Sequence, residues 1–486
     1  MSYIGLDIGT SGCKASIITK NGEVIASASA AYPLLFPKRG YVELNPLEIY
    51  EKLKQVLKEL APKAAGVKAL ALSSFGEAFV LVDENDAPLN HFITYADSRC
   101  EGLDEKLTRR HTAEKFFTIT GVVPNQSFSL CKLLWMKKNC PEVLQRAKAI
   151  YFADDYYNYL LSGNRGVDSA TASKTLLFDI HKNDWSGELL QEFEVPKEWF
   201  SPVRAVGDCL GTIRKEIAKE LDLPTNIRIY MGCHDQCSAT LGGGAYEPGM
   251  LVMGEGSTES INLIVDDSVF LASKELIRRS MCVEPFLEPG LYMVPCAFLT
   301  YGNAIRWYIR TFEEQDAKGR QDIFSCLEEN AQKKTELVFL PHLSKVNIMD
   351  PESKVPGAFL GITLDTERWE FYRAMLQGLN FESRMNLETL SQLGFLIKCI
   401  SATGGIANSS LFMQLKADVL QKEIHVFKNS EAGIMGLAMI CAAACGDYKS
   451  HAQAFAGFVR AKQVFYPSER HEELFLQYKE YRNRLR

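Results

Sequence analysis

The stretch DIGTSGCKA, residues 7–15, sets an acid, two glycines, two hydroxyls and a lysine between apolar runs. A plain hairpin asks only for a turn-forming glycine, so the other polar residues are spent on something else. Backbone N–H groups freed by a tight turn at Gly9, with the hydroxyls of Thr10 and Ser11, can hydrogen-bond phosphate oxygens, and Lys14 adds charge nearby. The stretch GEGST offers the same donors from Gly256, Ser257 and Thr258. Either turn alone has an ordinary turn composition. Two of them, each ending a strand in its own half of the chain, point to phosphate binding. A third group is GCHDQ, residues 232–236. Asp235 there suits a helix N-cap. It equally suits a general base that takes the proton of a substrate hydroxyl as its oxygen attacks a γ-phosphoryl group. His234 beside it reads as packed or locally hydrogen-bonded.

These residues need elements to position them. YIGLDIG, KASIIT and EVIASAS read as strands, with Asn21 and Gly22 as the turn joining the last two. In ELNPLEIYEKLKQVLKEL, Asn45 caps a helix, Pro46 takes its first position and Glu48 reaches back to the cap. KALALSS and AFVLVD are further strands, and residues 97–163 read mostly helical. The theme then returns. IRIYMGC is a strand that opens a helix at HDQCSATLGGGA, and GMLVMGEGSTESINLIV is strand, turn and strand. LIKCISATGG ends a strand at paired glycines ahead of the helix ANSSLFMQLKADVL. The pattern predicts a duplicated α/β unit with a cleft between the halves, divided near Gly243 into residues 1–243 and 244–486.

A chain of 486 residues is too long for one core. Its net charge of -6 provides no basic field for nucleic acid or an anionic membrane. No 18-residue apolar run is present, and the first residues lead into a strand without the regions of a signal peptide. The 13 cysteines are scattered, and the pairs Cys233/Cys237 and Cys441/Cys445 lack zinc-site spacing, so both read as small buried apolar residues. The expectation is a reduced, cytoplasmic protein without a nucleic-acid or membrane partner. No GxxxxGK[ST] loop occurs, and no GxGxxG follows the first strand.

The ordered motifs resemble the FGGY family of carbohydrate kinases, within the actin and hexokinase type of ATPase fold, over nearly the whole chain. DIGTSGCKA resembles its first phosphate loop, GYVELNP its Gly-aromatic-Val-Glu-x-x-Pro segment, and TYADSRC its Trp-x-Asp-x-Arg stretch. SFSLCKLLWMKKN, with Lys132 and Trp135 as fixed points, is similar to one family signature, and GAFLGITLDTERWEFYRAMLQ to the second. VDSATASKTLLFDI, GCHDQCSATLGGGAYEPG and ATGGIANSSLFMQLKADVL follow in the family's order.

The resemblance implies an α/β fold of two duplicated actin-like, ribonuclease H-like domains. It implies transfer of the γ-phosphoryl group of ATP to a sugar or polyol hydroxyl, with Mg2+ bridging the phosphates. The N-terminal domain, residues 1–243, would bind the sugar and carry the first phosphate loop and the catalytic aspartate, Asp235. The C-terminal domain, residues 244–486, would carry the second loop and bind adenosine. Gly9, Thr10, Ser11 and Lys14 on one side, and Gly256, Ser257 and Thr258 on the other, fall at the phosphate turns. Gly404, Gly405 and Asn408 fall in the adenosine segment, and Asp7 with Asp235 on the metal side. Gly76, Glu77, Tyr95, Asp235 and Gln236 fall at the acceptor. A homodimer is the assembly this reading allows.

Acceptor choice is less marked. Gly76-Glu77 stands where xylulose kinases carry Met-His and glycerol kinases Arg-Glu. Glu77 can accept hydrogen bonds from two adjacent hydroxyls, and Gly76 is expected to widen the pocket. Gln236 resembles glycerol kinases, whereas GTSGCKA and the chain length resemble xylulose kinases. Tyr95 replaces the family tryptophan, Ser257-Thr258 replaces Thr-Ser, and Ile406 stands where many members have a third glycine. A ketopentose such as xylulose is the leading acceptor. The rivals are glycerol or another polyol, gluconate, a fuculose- or ribulose-like ketose, and, in a different class, an actin-fold regulatory ATPase. The Ala-rich GLAMICAAACG and residues 378–380 read as close helix packing. Trp307 and Tyr308 read as helix core with Arg306 and Arg310 on the wetter side, residues 313–320 as a solvated loop or helix end, and RHEELFLQYKEYRNRLR as an amphipathic helix.

Overall fold

Apolar runs bounded by turn residues form the first strands, β1 (Ser2–Ile8), β2 (Gly12–Thr19) and β3 (Val24–Ala31). The computed structural model describes residues 1–298, 300–312, 328, 331, 333–343, 354–427, 431–459 and 461–486. With β4 (Val67–Ser74), β5 (Cys209–Thr212) and β6 (Arg228–His234), these strands make a six-stranded sheet in the order β5-β6-β4-β1-β2-β3. β1, β4 and β6 run parallel, with Asp7 opposite Ser73 and His234 opposite Ser74. Their carboxyl ends therefore reach one edge of the sheet, where open parallel sheets bind ligands. Ile4, Leu6, Leu70, Leu72, Ile229 and Met231 carry the core, and the helix α1 (Pro46–Leu60) adds Ile49, Leu53 and Val56. Asn45 caps α1 by accepting from the Leu47 N–H at 3.0 Å, with Pro46 at the first position, while Glu48 lies in the first turn without the reciprocal bond expected of it.

A seven-stranded sheet follows. Its strands are β7 (Met250–Glu255), β8 (Glu259–Asp266), β9 (Glu284–Pro285), β10 (Leu291–Phe298), β11 (Cys399–Thr403), β12 (Ile424–Phe427) and β13 (Ala461–Phe465), in the order β9-β10-β8-β7-β11-β12-β13. Here β7 and β11 are parallel, with Gly254 opposite Thr403. The helices used below are α2 (Ser129–Asn139), α3 (Asp235–Gly242), α4 (Tyr301–Phe312), α5 (Arg368–Gln392), α6 (Ser410–Leu420), α7 (Ala432–Ala444) and α8 (Glu472–Arg484).

The chain makes two compact units. One comprises Met1–Tyr246, Ile264–Val294 and Glu431–Val459, the other Glu247–Leu263, Pro295–Ser430 and Arg460–Arg486. Both are discontinuous, whereas the expected division cuts the chain once, near Gly243. The first crossing falls after Tyr246, but residues from β8 to β10 and the helix α7 return to the first unit. Among the described residues no helix is long and apolar enough to cross a membrane, and every cysteine is a free thiol. Residues 313–320, expected to be a solvated loop or helix end, lie outside the described residues.

Candidate active site

In the first unit, the expected residues gather where the parallel strands end. Asp7 sits at the end of β1, accepting from the Ser73 hydroxyl on β4 at 2.7 Å. Burial, and the nearby Glu431, hold its carboxyl above the usual carboxylate range, against the Ser73 bond and Lys14. The turn after it is closed by the Gly9 N–H donating to the Gly12 carbonyl at 3.0 Å. Tyr32 donates its hydroxyl to the Gly9 carbonyl, fixing the turn from the β3 side. Thr10 is partly exposed and Ser11 exposed on this turn. Lys14 points to solvent and pairs with Glu431 at 3.3 Å. Such exposed pairs contribute little, so its ammonium can exchange Glu431 for another anion.

Asp235 is not the N-cap of α3. His234 holds the cap position and Asp235 is the first helical residue, so its carboxyl is left over from capping. A backbone hydrogen bond from Gln236 favours its ionised form, yet burial, with Asp7 and Glu77 close by, pushes the carboxyl up to about 8. His234 is buried, with Nε2 3.2 Å from Asp235 Oδ1. Burial and the charge of Lys174 hold its pKa well below the ordinary value, so the ring is neutral and serves as a packed neighbour.

Glu77 is the strained member. Its φ of 62° lies in the left-handed region, which a residue with a side chain occupies at some cost, and such strain concentrates at functional sites. Its carbonyl accepts from the Lys132 ammonium at 2.7 Å and the Ser129 hydroxyl at 3.2 Å, both on α2. Burial lowers the pKa of Lys132 to about 8. The widening expected at Gly76 is absent. A Cβ there would lie 3.0 Å from His234 Nε2 and 3.2 Å from Lys174 Cγ, so those side chains occupy the space. Gln236 follows Asp235 in the first turn of α3. Tyr95 stands apart on a turn with 62% of its surface exposed. Its neighbours in the motif do structural work. Arg99 bonds Asp97 at 2.7 Å and Glu43 at 2.6 Å, and its guanidinium lies 5.1 Å from the Trp135 ring centroid.

In the second unit, the turn at residues 256–258 joins β7 to β8 and rests on the start of α4. The Asn303 N–H donates to the Ser257 carbonyl at 2.9 Å, and a Cβ on Gly302 would fall 2.2 Å from the Gly256 carbonyl oxygen. Arg306 reaches back to the Ser257 hydroxyl, a role its expected place on the wetter side of α4 did not suggest. Lys416, fully buried on α6, is 2.8 Å from Glu255 and 2.7 Å from Glu259, the residues on either side of the turn. The signal was a lone lysine in the apolar run of KADVL. Gly404 follows β11 with φ +99°, and a Cβ there would fall 2.7 Å from the Glu255 carbonyl oxygen. Nothing lies within 4 Å of a Cβ added to Gly405, and the Asn408 amide donates to the Gly405 carbonyl at 3.2 Å. Gly256, Gly302 and Gly405 border a cavity of about 690 Å³ within this unit, walled by Ile305, Tyr372, Leu376, Ile406 and Phe412, with Ser257, Arg306, Glu328, Asn408 and Ser409 among its polar edges. An apolar slot with a few polar groups suits a planar heteroaromatic base. Ile406, in place of a glycine, forms part of the wall.

The model for the N-terminal domain of the FGGY family of carbohydrate kinases matches residues 2–242, and that for its C-terminal domain matches residues 268–445. A xylulose kinase of Lactococcus lactis subsp. lactis is 28% identical over 99% of this chain and 97% of its own length. A glycerol kinase of Mycoplasma genitalium is 30% identical over 92% of this chain and 90% of its own. Among solved structures, a xylulose kinase from Rhodospirillum rubrum superposes with a TM-score of 0.88 at 24% identity, covering 100% of this chain and 99% of that one. With both halves matched in order, the chain belongs to the FGGY family of carbohydrate kinases and is an ATP-dependent sugar kinase.

Proposed function

We propose that this kinase phosphorylates a terminal hydroxyl of a ketose, a ketopentose such as xylulose foremost, with Asp235 as the general base. The observation that carries this is Asp235 itself, a carboxyl freed from capping and raised to about 8 beside Asp7 and Glu77. The xylulose kinase likeness over nearly the full chain supports the acceptor, although the glycerol kinase likeness is of similar extent.

In this reading Glu77 accepts hydrogen bonds from acceptor hydroxyls, with Gly76 and Gln236 beside it, and the exposed Tyr95 approaches the acceptor only from solvent. The terminal hydroxyl gives its proton to the Asp235 carboxylate as its oxygen bonds to the γ-phosphorus. The bond to the β–γ bridging oxygen breaks, and ADP leaves. The turns at Gly9, Thr10 and Ser11 and at Gly256, Ser257 and Thr258, with Lys14, hold phosphate oxygens. Gly404, Gly405 and Asn408 border the adenosine. The N-terminal part of the chain, residues 1–243, then supplies the acceptor groups and residues 244–486 the adenosine groups. Asp7 and Asp235 fit Mg2+, a cation usually held by one or two carboxylates with phosphates and waters. Both carboxyls sit above their ordinary pKa, as expected of acids short of positive charge. The metal would offset charge on the phosphate oxygens.

The test is ADP formation from magnesium-ATP across ketoses, aldoses, polyols and sugar acids, beside Asp235→Asn. One acceptor, expected to be a ketopentose, should raise turnover by orders of magnitude and the substitution should abolish it. No stimulation by any acceptor, or full activity in Asp235→Asn, overturns the proposal.

A further inference from the structure

The acceptor end of the first unit holds a buried charge cluster that the phosphoryl-transfer roles leave unused. Lys174, on the VDSATASKT segment, has 9% of its side chain exposed. Its ammonium bonds Glu284, which is almost fully buried, and lies 3.9 Å from Glu77 Oε1. The second oxygen of Glu284 has no hydrogen-bond partner and lies 3.9 Å from His234 Nδ1. Lys174 Cγ packs beside Gly76, 3.2 Å from where a Cβ there would stand. A side chain at 76 would crowd the lysine.

We infer that Lys174, anchored by Glu284, is the specificity-determining residue of the acceptor site: it orients the Glu77 carboxylate toward acceptor hydroxyls and, within a surplus of carboxylates, restricts the site to uncharged sugars and polyols. This rests on the reading of Glu77 as an acceptor ligand. The orienting half follows from how Glu77 is held. Its backbone is strained, and its carbonyl is taken by Lys132 and Ser129. The Glu77 carboxylate faces Lys174, whose ammonium lies 3.9 Å away. A buried ion pair restricts orientation more reliably than it adds stability. Burial opposes the charge of Lys174, but Glu284 and Glu77 outweigh it and hold the ammonium protonated.

The restricting half follows from charge. Glu284 and Glu77 both face the single ammonium of Lys174, two carboxylates to one cation. The buried Lys132 beside it spends its ammonium on the Glu77 carbonyl. An acceptor bearing a carboxylate or phosphate would enter with no cation left to meet it, and like charges in a poorly solvated site repel strongly. A neutral acceptor brings hydroxyls that can donate to these carboxylates without adding a charge.

The experiment compares the full-length protein with the double variant Lys174→Met/Glu284→Gln, which removes the pair without leaving a buried charge alone. Acceptor KM, ATP KM and kcat are measured on neutral ketoses and polyols and on the matching sugar acids, beside thermal melts. The wild type should turn over neutral acceptors and leave sugar acids untouched. The variant should raise acceptor KM by about tenfold or more, as for a lost hydrogen bond to a charged group, with ATP KM held within about twofold. Should the double variant not melt cooperatively, Glu284→Gln, which frees Lys174 from its anchor, is read the same way. A folded variant with unchanged acceptor KM, or a wild type that prefers a sugar acid, overturns this inference while the kinase reading stands. Failure of every acceptor with the wild type, or full activity in Asp235→Asn, overturns the underlying reading instead.

Discussion

A base that accepts a proton near neutral pH works best with a pKa close to that pH, and the surroundings of Asp235 raise its carboxyl from 3.8 to about 8. The same shift has a consequence for stability. Because the folded value lies above the unfolded one, the favourable contribution of this group is complete only below the ordinary carboxylate range and is lost as pH rises through about 8. In metal-free protein, Asp235→Asn should therefore melt higher than the parent. The gain should grow from about pH 4 to about pH 8 and stay level above that, in thermal melts across a pH series. Its kcat/KM should fall by about 10²-fold or more. A second residue-scale outcome concerns Arg306, which holds the Ser257 hydroxyl. Arg306→Ala should raise the KM for ATP by about tenfold, leaving the acceptor KM nearly unchanged in steady-state assays. Asp235 was legible from its neighbours in GCHDQ, whereas Arg306 was not. One turn of helix separates Arg306 from Asn303, and only the packing of α4 under the 256–258 turn gives it a task.

At the scale of elements, turns and glycines mark where pieces meet. The helix α7 lies against α3 so closely that a Cβ on Gly436 would fall 2.0 Å from the Ser238 carbonyl oxygen, and one on Gly5 of β1 would fall 2.5 Å from the Ile434 carbonyl oxygen. GLAMICAAACG was readable as close packing on a sheet, but its second partner, α3, was not, since small residues announce proximity without naming the neighbour. The turn at 256–258 is framed by Glu255 and Glu259, both buried on Lys416. Lys416→Met would strand two buried carboxylates and should cost about 3–5 kcal/mol in denaturant unfolding. Adding Glu255→Gln and Glu259→Gln should recover much of that loss, because an uncharged buried set carries a smaller desolvation penalty. The amphipathic C-terminal run forms α8, which buries Phe475 and Tyr478 while Tyr478 bonds Glu382 on α5.

At the scale of the whole molecule, contacts cross the division expected near Gly243. The first unit takes Ile264–Val294 and Glu431–Val459 from the second half of the chain. Glu284, the anchor of Lys174, and α7, packed on β1 and α3, both come from those segments. A fragment of residues 1–243 would leave Lys174 buried without its carboxylate and the face of α3 open. Expressed alone, it should show no cooperative melt by circular dichroism, while the full chain does.

The sequence by itself determined the family and the strand-and-turn skeleton, and it named the candidate site residues. Those features depend on local chemistry, such as a glycine turn after an apolar strand, an asparagine cap or an acid at a strand end. It placed Asp7, Glu77 and Asp235 at strand ends without saying that β1, β4 and β6 are parallel neighbours. Only the tertiary structure decided that these carboxyls share one edge, where Asp7 and Glu77 help to raise the Asp235 carboxyl, that Lys174 and His234 crowd the space beside Gly76, and that Lys174 pairs with Glu284. Each of these depends on residues far apart in the chain, and electrostatics and steric exclusion act through space with no regard for sequence distance.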